Sequence, residues 1–199
     1  MRCLCAPGMS GAARTLGRVR HYAQRLSGGK PNSLGDTVAV VADVLAHPEA
    51  FDELFACYFA DDALVRLRVS NCLKRVAAER PALLEPYLDR LLDEVAYIPQ
   101  ASTQWTLAQL LLTYTDRLSP AQLARAKGLL RRPLDGSPEP AAWHDDWIVV
   151  NMTLNTLQAW ARDDAELRAW LVPHLRRLAE DPRKSVRGRA TKFLGVLEG

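Results

Sequence analysis

Val65-Arg66-Leu67-Arg68-Val69-Ser70-Asn71-Cys72-Leu73 returns about 120 residues later as Val186-Arg187-Gly188-Arg189-Ala190-Thr191-Lys192-Phe193-Leu194. In the second copy Val186, Ala190, Phe193, Leu194 and Leu197 follow the three-and-four spacing of one helix face, with Arg187 and Arg189 off it. A helix written twice at long spacing marks a chain of helical hairpins. Each hairpin leaves an apolar face that only its neighbours can bury. The repeat predicts architecture and names no chemistry, so it favours a binding surface over an active site.

Working outward, punctuation divides the chain into helices. Gly28, Gly29, Pro31 and Asn32 close a first one, and a second runs from about residue 36 to 46 with Val38, Val41, Ala42 and Leu45 as its apolar stripe. Pro48 opens the third, where a missing amide hydrogen costs nothing in the first turn, and Phe51, Leu54, Phe55 and Tyr58 give it an apolar side. Asp61 and Asp62 cap the first copy of the repeated helix. Another helix spans 81 to 95, and one opened by Ser102 or Thr103 carries Trp105, Leu107, Ala108, Leu111 and Leu112. Ser119-Pro120 starts the next, through Arg132, and 133 to 142, with Gly136, Pro138 and Pro140, is a long loop. Helices are expected over 147 to 160, 165 to 178 and 182 to 197. No alternating strand pattern occurs, so the fold is read as all-α: five antiparallel pairs over about 10–46, 48–79, 81–114, 119–162 and 164–198.

Composition sets the class. The 199 residues suffice for a core without metal or disulfide staples. With 48% hydrophobic and 25% charged residues and no apolar run near the ~18 needed to cross a bilayer, the expectation is a cytoplasmic protein with no membrane partner. Cys3, Cys5, Cys57 and Cys72 have neither zinc-ligand nor secreted-disulfide spacing, and the two later ones fall on apolar helix faces as free thiols. The net charge of +3 is uneven. Residues 1 to 30 hold six cations and no acid, leaving 20 cations against 23 acids elsewhere. Residues 1–9 read as a disordered lead-in to one domain over 10–199. Ala12, Leu16, Val19, Ala23 and Leu26 read as a packed helix face, although an arm for an anionic partner or a targeting segment would share this composition.

Asp181-Pro182-Arg183-Lys184-Ser185-Val186-Arg187 resembles the Asp-Pro-x-x-x-Val-Arg signature of HEAT repeats, and Asp61, Val65 and Arg66 resemble it with one residue fewer and no proline. The fourth hairpin has Asp145 or Asp146, Val149, Thr153 and Leu157 in similar positions, but Val150 where arginine is expected. The resemblance implies a right-handed α-solenoid in which the aspartate caps the second helix of a unit, the valine enters the core and the arginine ties the turn. It also implies that second helices line a concave binding face. On that reading Arg66 and Arg187 are junction ties to an aspartate, and Arg68 and Arg189 are free for a partner.

No histidine pair has metal-ligand spacing, and no phosphate loop or nucleophile elbow is present, so neither a metal nor a cofactor is expected. Trp143-His144-Asp145-Asp146-Trp147 gathers the most chemistry, either as a cleft with a carboxylate base or as a capped helix start. Asn151 and Asn155 follow Trp147 at steps of four. The expected contact set is therefore Arg68, Trp105, Asp146, Trp147, Asn151, Asn155 and Arg189, on a non-catalytic scaffold binding a protein partner. The alternative is nucleic-acid binding. Alkylpurine DNA glycosylases built from HEAT-like repeats use an aspartate, tryptophans and an arginine, and Asp146, Trp147, Trp105, Arg187 and Arg189 are similar in type. A continuous basic groove through Arg68, Arg131, Arg132, Arg187 and Arg189 would favour that alternative.

Overall fold

The computed structural model describes residues 20–30, 33–135 and 145–199. The expected lead-in, most of the first helix, and Trp143 with His144 lie outside these residues. The described chain is all-α, with ten α-helices and no strand among the described residues. They are α1 Tyr22–Leu26, α2 Thr37–Ala46, α3 Phe51–Ala56, α4 Ala63–Glu79, α5 Leu88–Asp93, α6 Ala101–Thr113, α7 Pro120–Asp135, α8 Trp147–Trp160, α9 Ala165–Leu178 and α10 Lys184–Glu198. None is long and apolar enough to cross a membrane.

The even-numbered helices touch in chain order: α2 on α4, α4 on α6, α6 on α8, α8 on α10. The odd-numbered helices lie behind them. The α5 helix meets α7 directly, and α7 meets α9 through Lys127–Asp164 at 2.6 Å and through Arg131 over the Trp170 ring. One continuous apolar core runs between the two sets, from Tyr22 and Val44 through Leu73, Leu91, Leu111 and Leu154 to Leu175 and Ala190.

Sequence boundaries and observed boundaries agree closely for α8 and α9. Two expected helices are instead broken. Residues 48–59 form a 3-10 turn, α3 and a second 3-10 turn, and residues 81–97 alternate 3-10 turns with α5. The prolines explain part of this, since Pro48 and Pro81 start a turn and Pro86 stands second in one, each without an amide to donate. The stripe of α2 also differs. Thr37, Val40, Val41 and Val44 are buried while Val38 is 58% exposed, because this helix is apolar nearly all round and spacing alone cannot choose its inner face.

Caps follow chemistry at three helix starts. Asp62 accepts from Leu64 N, Asp146 from Ile148 N and Val149 N, and Asp164 from Leu167 N. Replacing Asp62 or Asp146 by alanine is expected to lower stability by about 1 kcal/mol each, read as a shifted urea midpoint at constant slope. Asp181 departs from the expected capping role. Its carboxylate accepts from Arg183 N, Nε and Nη2, at 2.7 to 2.8 Å, and no side chain caps α10.

Asp43 and Asp181 are among the aspartates that couple the fold to pH. Burial raises the Asp43 pKa, but the Tyr22 hydroxyl, Arg20 and Arg25 outweigh it and hold the carboxyl below its ordinary value. Hydrogen bonding to Arg183 does the same for Asp181 against a smaller burial effect. Both ionise more readily folded than unfolded, so their stabilisation is present above the ordinary aspartate range and lost as pH falls through the lower folded values. Urea unfolding between about pH 6 and about pH 3 should show stability falling with pH, with a shallower fall in Asp181→Asn. An unchanged slope in that variant would remove Asp181 from this account.

Candidate functional site

The repeated helix places its two arginines differently from each other. Arg66 Nη1 donates to Ala60 O at 2.6 Å and Asp61 O at 3.1 Å, and Arg187 Nη1 to Asp181 O at 2.6 Å and Pro182 O at 3.4 Å. Each guanidinium folds back onto the carbonyls just before its own helix. They are junction ties, but to backbone oxygen, joined in Arg66 by Nε donating to Gln100 Oε1 at 2.6 Å, and not to an aspartate carboxylate as the resemblance implies.

The second arginine of each copy reaches one unit backward. Arg189 donates to Asn155 on α8. Arg68 reaches the loop after α1, giving Nε to Ser33 O, Nη1 to the carbonyls of Leu26, Ser27 and Gly28, and Nη2 to Lys30 O. At 1% exposure Arg68 is interior and cannot meet a partner, which corrects its expected role. The loop carbonyls enclose its guanidinium because Gly28, Gly29 and Gly35 adopt positive φ, and a Cβ on Gly35 would lie 2.8 Å from Arg68 Cζ.

The polar stripe expected on α8 also divides. Asp146 serves as the helix cap, Trp147 is 51% exposed at the helix start, and Asn151 is 1% exposed with no partner for Oδ1 among the described residues. Asn155 is half-buried. The outward face of α8 instead runs through Ile148, Met152, Asn155 and Ala159, so Asn151 is one residue out of phase.

A different constellation crosses three helices. Gln109 on α6 donates to Met152 Sδ at 3.0 Å, Asn155 Nδ2 approaches the same sulfur at 3.8 Å, and Arg189 on α10 closes the ladder through Asn155. Trp105, half-buried, stands one turn before Gln109 on the same face of α6. Trp105, Asn155 and Arg189 are thus brought together on one surface, joined by Gln109 and Met152, which sequence reading missed. Their only signal was position, four residues beyond Trp105 and three before Asn155.

The other arginines are dispersed. Arg131 lies over Trp170 at 4.9 Å and Arg132 over Tyr97 at 5.0 Å, both from α7 in the odd-numbered set, while Arg187 is folded onto its own turn. Of the five expected to form a basic groove, Arg189 alone lies on the ladder face.

A separate groove of about 420 Å³ between the ends of α6 to α9 is lined by Trp160, Lys127 and Asp164. Four of its polar groups pair with one another, Trp160 Nε1 on Thr115 Oγ1 and Lys127 on Asp164. Among the described residues no three His, Cys, Asp or Glu side chains are arranged to hold a metal. Cys57 and Cys72 are free and buried, and burial pushes both thiols up to about 12, which makes them packing residues.

Comparison with family models, with curated proteins and with solved structures finds no match.

Proposed function

We propose that the chain is a right-handed, HEAT-like α-solenoid of five helix pairs. It acts as a non-catalytic scaffold that binds a protein partner through the outward face of α6, α8 and α10. The pairwise order of the even-numbered helices, the buried Val65 and Val186, and the matching carbonyl ties of Arg66 and Arg187 support the architecture. One observation carries the function. The ladder from Gln109 through Met152 and Asn155 to Arg189, with Trp105 beside it, is a continuous surface of amide, thioether, indole and guanidinium groups. Aromatic and arginine side chains of this kind supply most of the affinity in protein interfaces.

The dispersal of the other arginines speaks against nucleic acid, whose binding needs cations placed along a phosphate track. Asp146, already accepting two amides, is a poor general base for glycosylase chemistry. Affinity capture with the tagged full chain should retain specific proteins that the Trp105→Ala/Arg189→Glu variant loses. Capture of no protein, or of the same set by both, would overturn the reading. A mobility shift of duplex DNA at low salt, abolished by Arg189→Glu, would favour the alternative.

A further inference from the structure

The surface described above has an unusual charge layout. The α6 and α8 helices contain no charged residue at all, whereas α4 carries Lys74 and Arg75 and α10 carries Arg189 and Lys192 on their outward faces. None of these four cations pairs with a carboxylate among the described residues. The acids of α4, α8 and α10 and their caps stand elsewhere. Asp62 and Asp146 cap the starts of α4 and α8, and Glu79 and Glu198 end α4 and α10.

The face therefore reads, in order, as two cations, a neutral centre with Trp105, Gln109, Met152 and Asn155, and two cations. We propose that its occupant is an acidic peptide segment, with carboxylates at both ends and apolar side chains between them, lying across α4 to α10. This rests on the reading of that face as a protein-binding surface and adds the chemistry of the partner. Lys74 supplies a local reason: burial, and Arg75 beside it, lower its pKa, so an incoming carboxylate would relieve a half-buried ammonium that has no counter-charge.

Geometry sets the length. Three interhelix steps of about 8–10 Å separate α4 from α10 by about 24–30 Å. An extended chain rising about 3.3–3.6 Å per residue covers that in about eight residues. A nucleic-acid strand would present phosphates along the same path, but α6 and α8 offer it no cation at the centre.

The test is selection of a random twelve-residue peptide library displayed on phage against the immobilised full chain. Selected peptides are then measured by fluorescence anisotropy at two salt concentrations. Enriched peptides should carry acids flanking an apolar centre. Binding should weaken about tenfold in Lys74→Glu/Arg75→Glu and again in Lys192→Glu, while the circular-dichroism melt stays unchanged. Enriched peptides without acids, or binding indifferent to both charge reversals, would overturn this inference and leave the protein-binding surface standing. No enrichment together with tight binding of a labelled single-stranded DNA would overturn both, and no binding of either probe would overturn this inference alone, the protein-binding surface then resting on the affinity capture.

Discussion

Arg68→Met is expected to lower the free energy of unfolding by about 3–5 kcal/mol, among the largest single-residue effects in this chain. Methionine keeps most of the apolar stem but removes the donors that serve the carbonyls of Leu26, Ser27, Gly28, Lys30 and Ser33. Each carbonyl left dry and unpaired costs about 1–3 kcal/mol, and water can reach the exposed part of the loop, so the full sum is not realised. Among the described residues no carboxylate pairs with the guanidinium. The carbonyl dipoles at the end of α1 balance its charge. Arg68→Lys should recover less than half the loss, because one ammonium cannot serve acceptors spread around a planar fork. Gly35→Ala should destabilise too, through its φ of 53° and the 2.8 Å approach of a new Cβ to Arg68 Cζ. The double variant Arg68→Met/Gly35→Ala should lose less than the sum, since the clash partner is gone. Urea unfolding followed by circular dichroism measures all four. A loss below about 1 kcal/mol for Arg68→Met would show that the loop does not depend on this side chain.

Phe55→Ala is expected to cost about 3–5 kcal/mol. Phe55 is fully buried, with ring centroids 5.8 Å from Tyr58 and 4.7 Å from Tyr87, and the Arg90 guanidinium carbon lies 4.7 Å over its face. These contacts join α3 to the turn before α5, where the helices themselves are short and broken. Phe55→Leu should retain much of the apolar burial but lose the ring and cation contacts, for about 1–2 kcal/mol. Hydrogen exchange adds a local readout. Protection in Phe55→Ala should fall first in residues 51–59 and 85–94, and a uniform loss across the chain would contradict this placement.

Much of the fold was legible because it depends on features that the chain states locally. Asp62, Asp146 and Asp164 mark helix starts by their own hydrogen bonds, and α8 and α9 begin and end where spacing and caps place them. The candidate site was legible only in part. Trp105, Asn155 and Arg189 lie together as surface residues, whereas Arg68 and Asn151 are interior. Arg68 and Arg189 occupy the same place in the repeated helix, and both reach back one unit. What each meets there differs: the glycine-bearing loop closes over Arg68, and an open helix face receives Arg189.

The sequence by itself determined that this chain is helical and that Val65 and Val186 face inward, because three-and-four spacing and capping chemistry act over one or two turns. Tertiary structure alone decided which face of the nearly uniform α2 and α8 turns outward, and which arginine is a core strut. It also decided that Gln109 and Met152 join Asn155 and Arg189 in one surface. Those outcomes depend on contacts between residues 34 to 43 positions apart. Only the packing of neighbouring helices sets such contacts, and no local pattern encodes them.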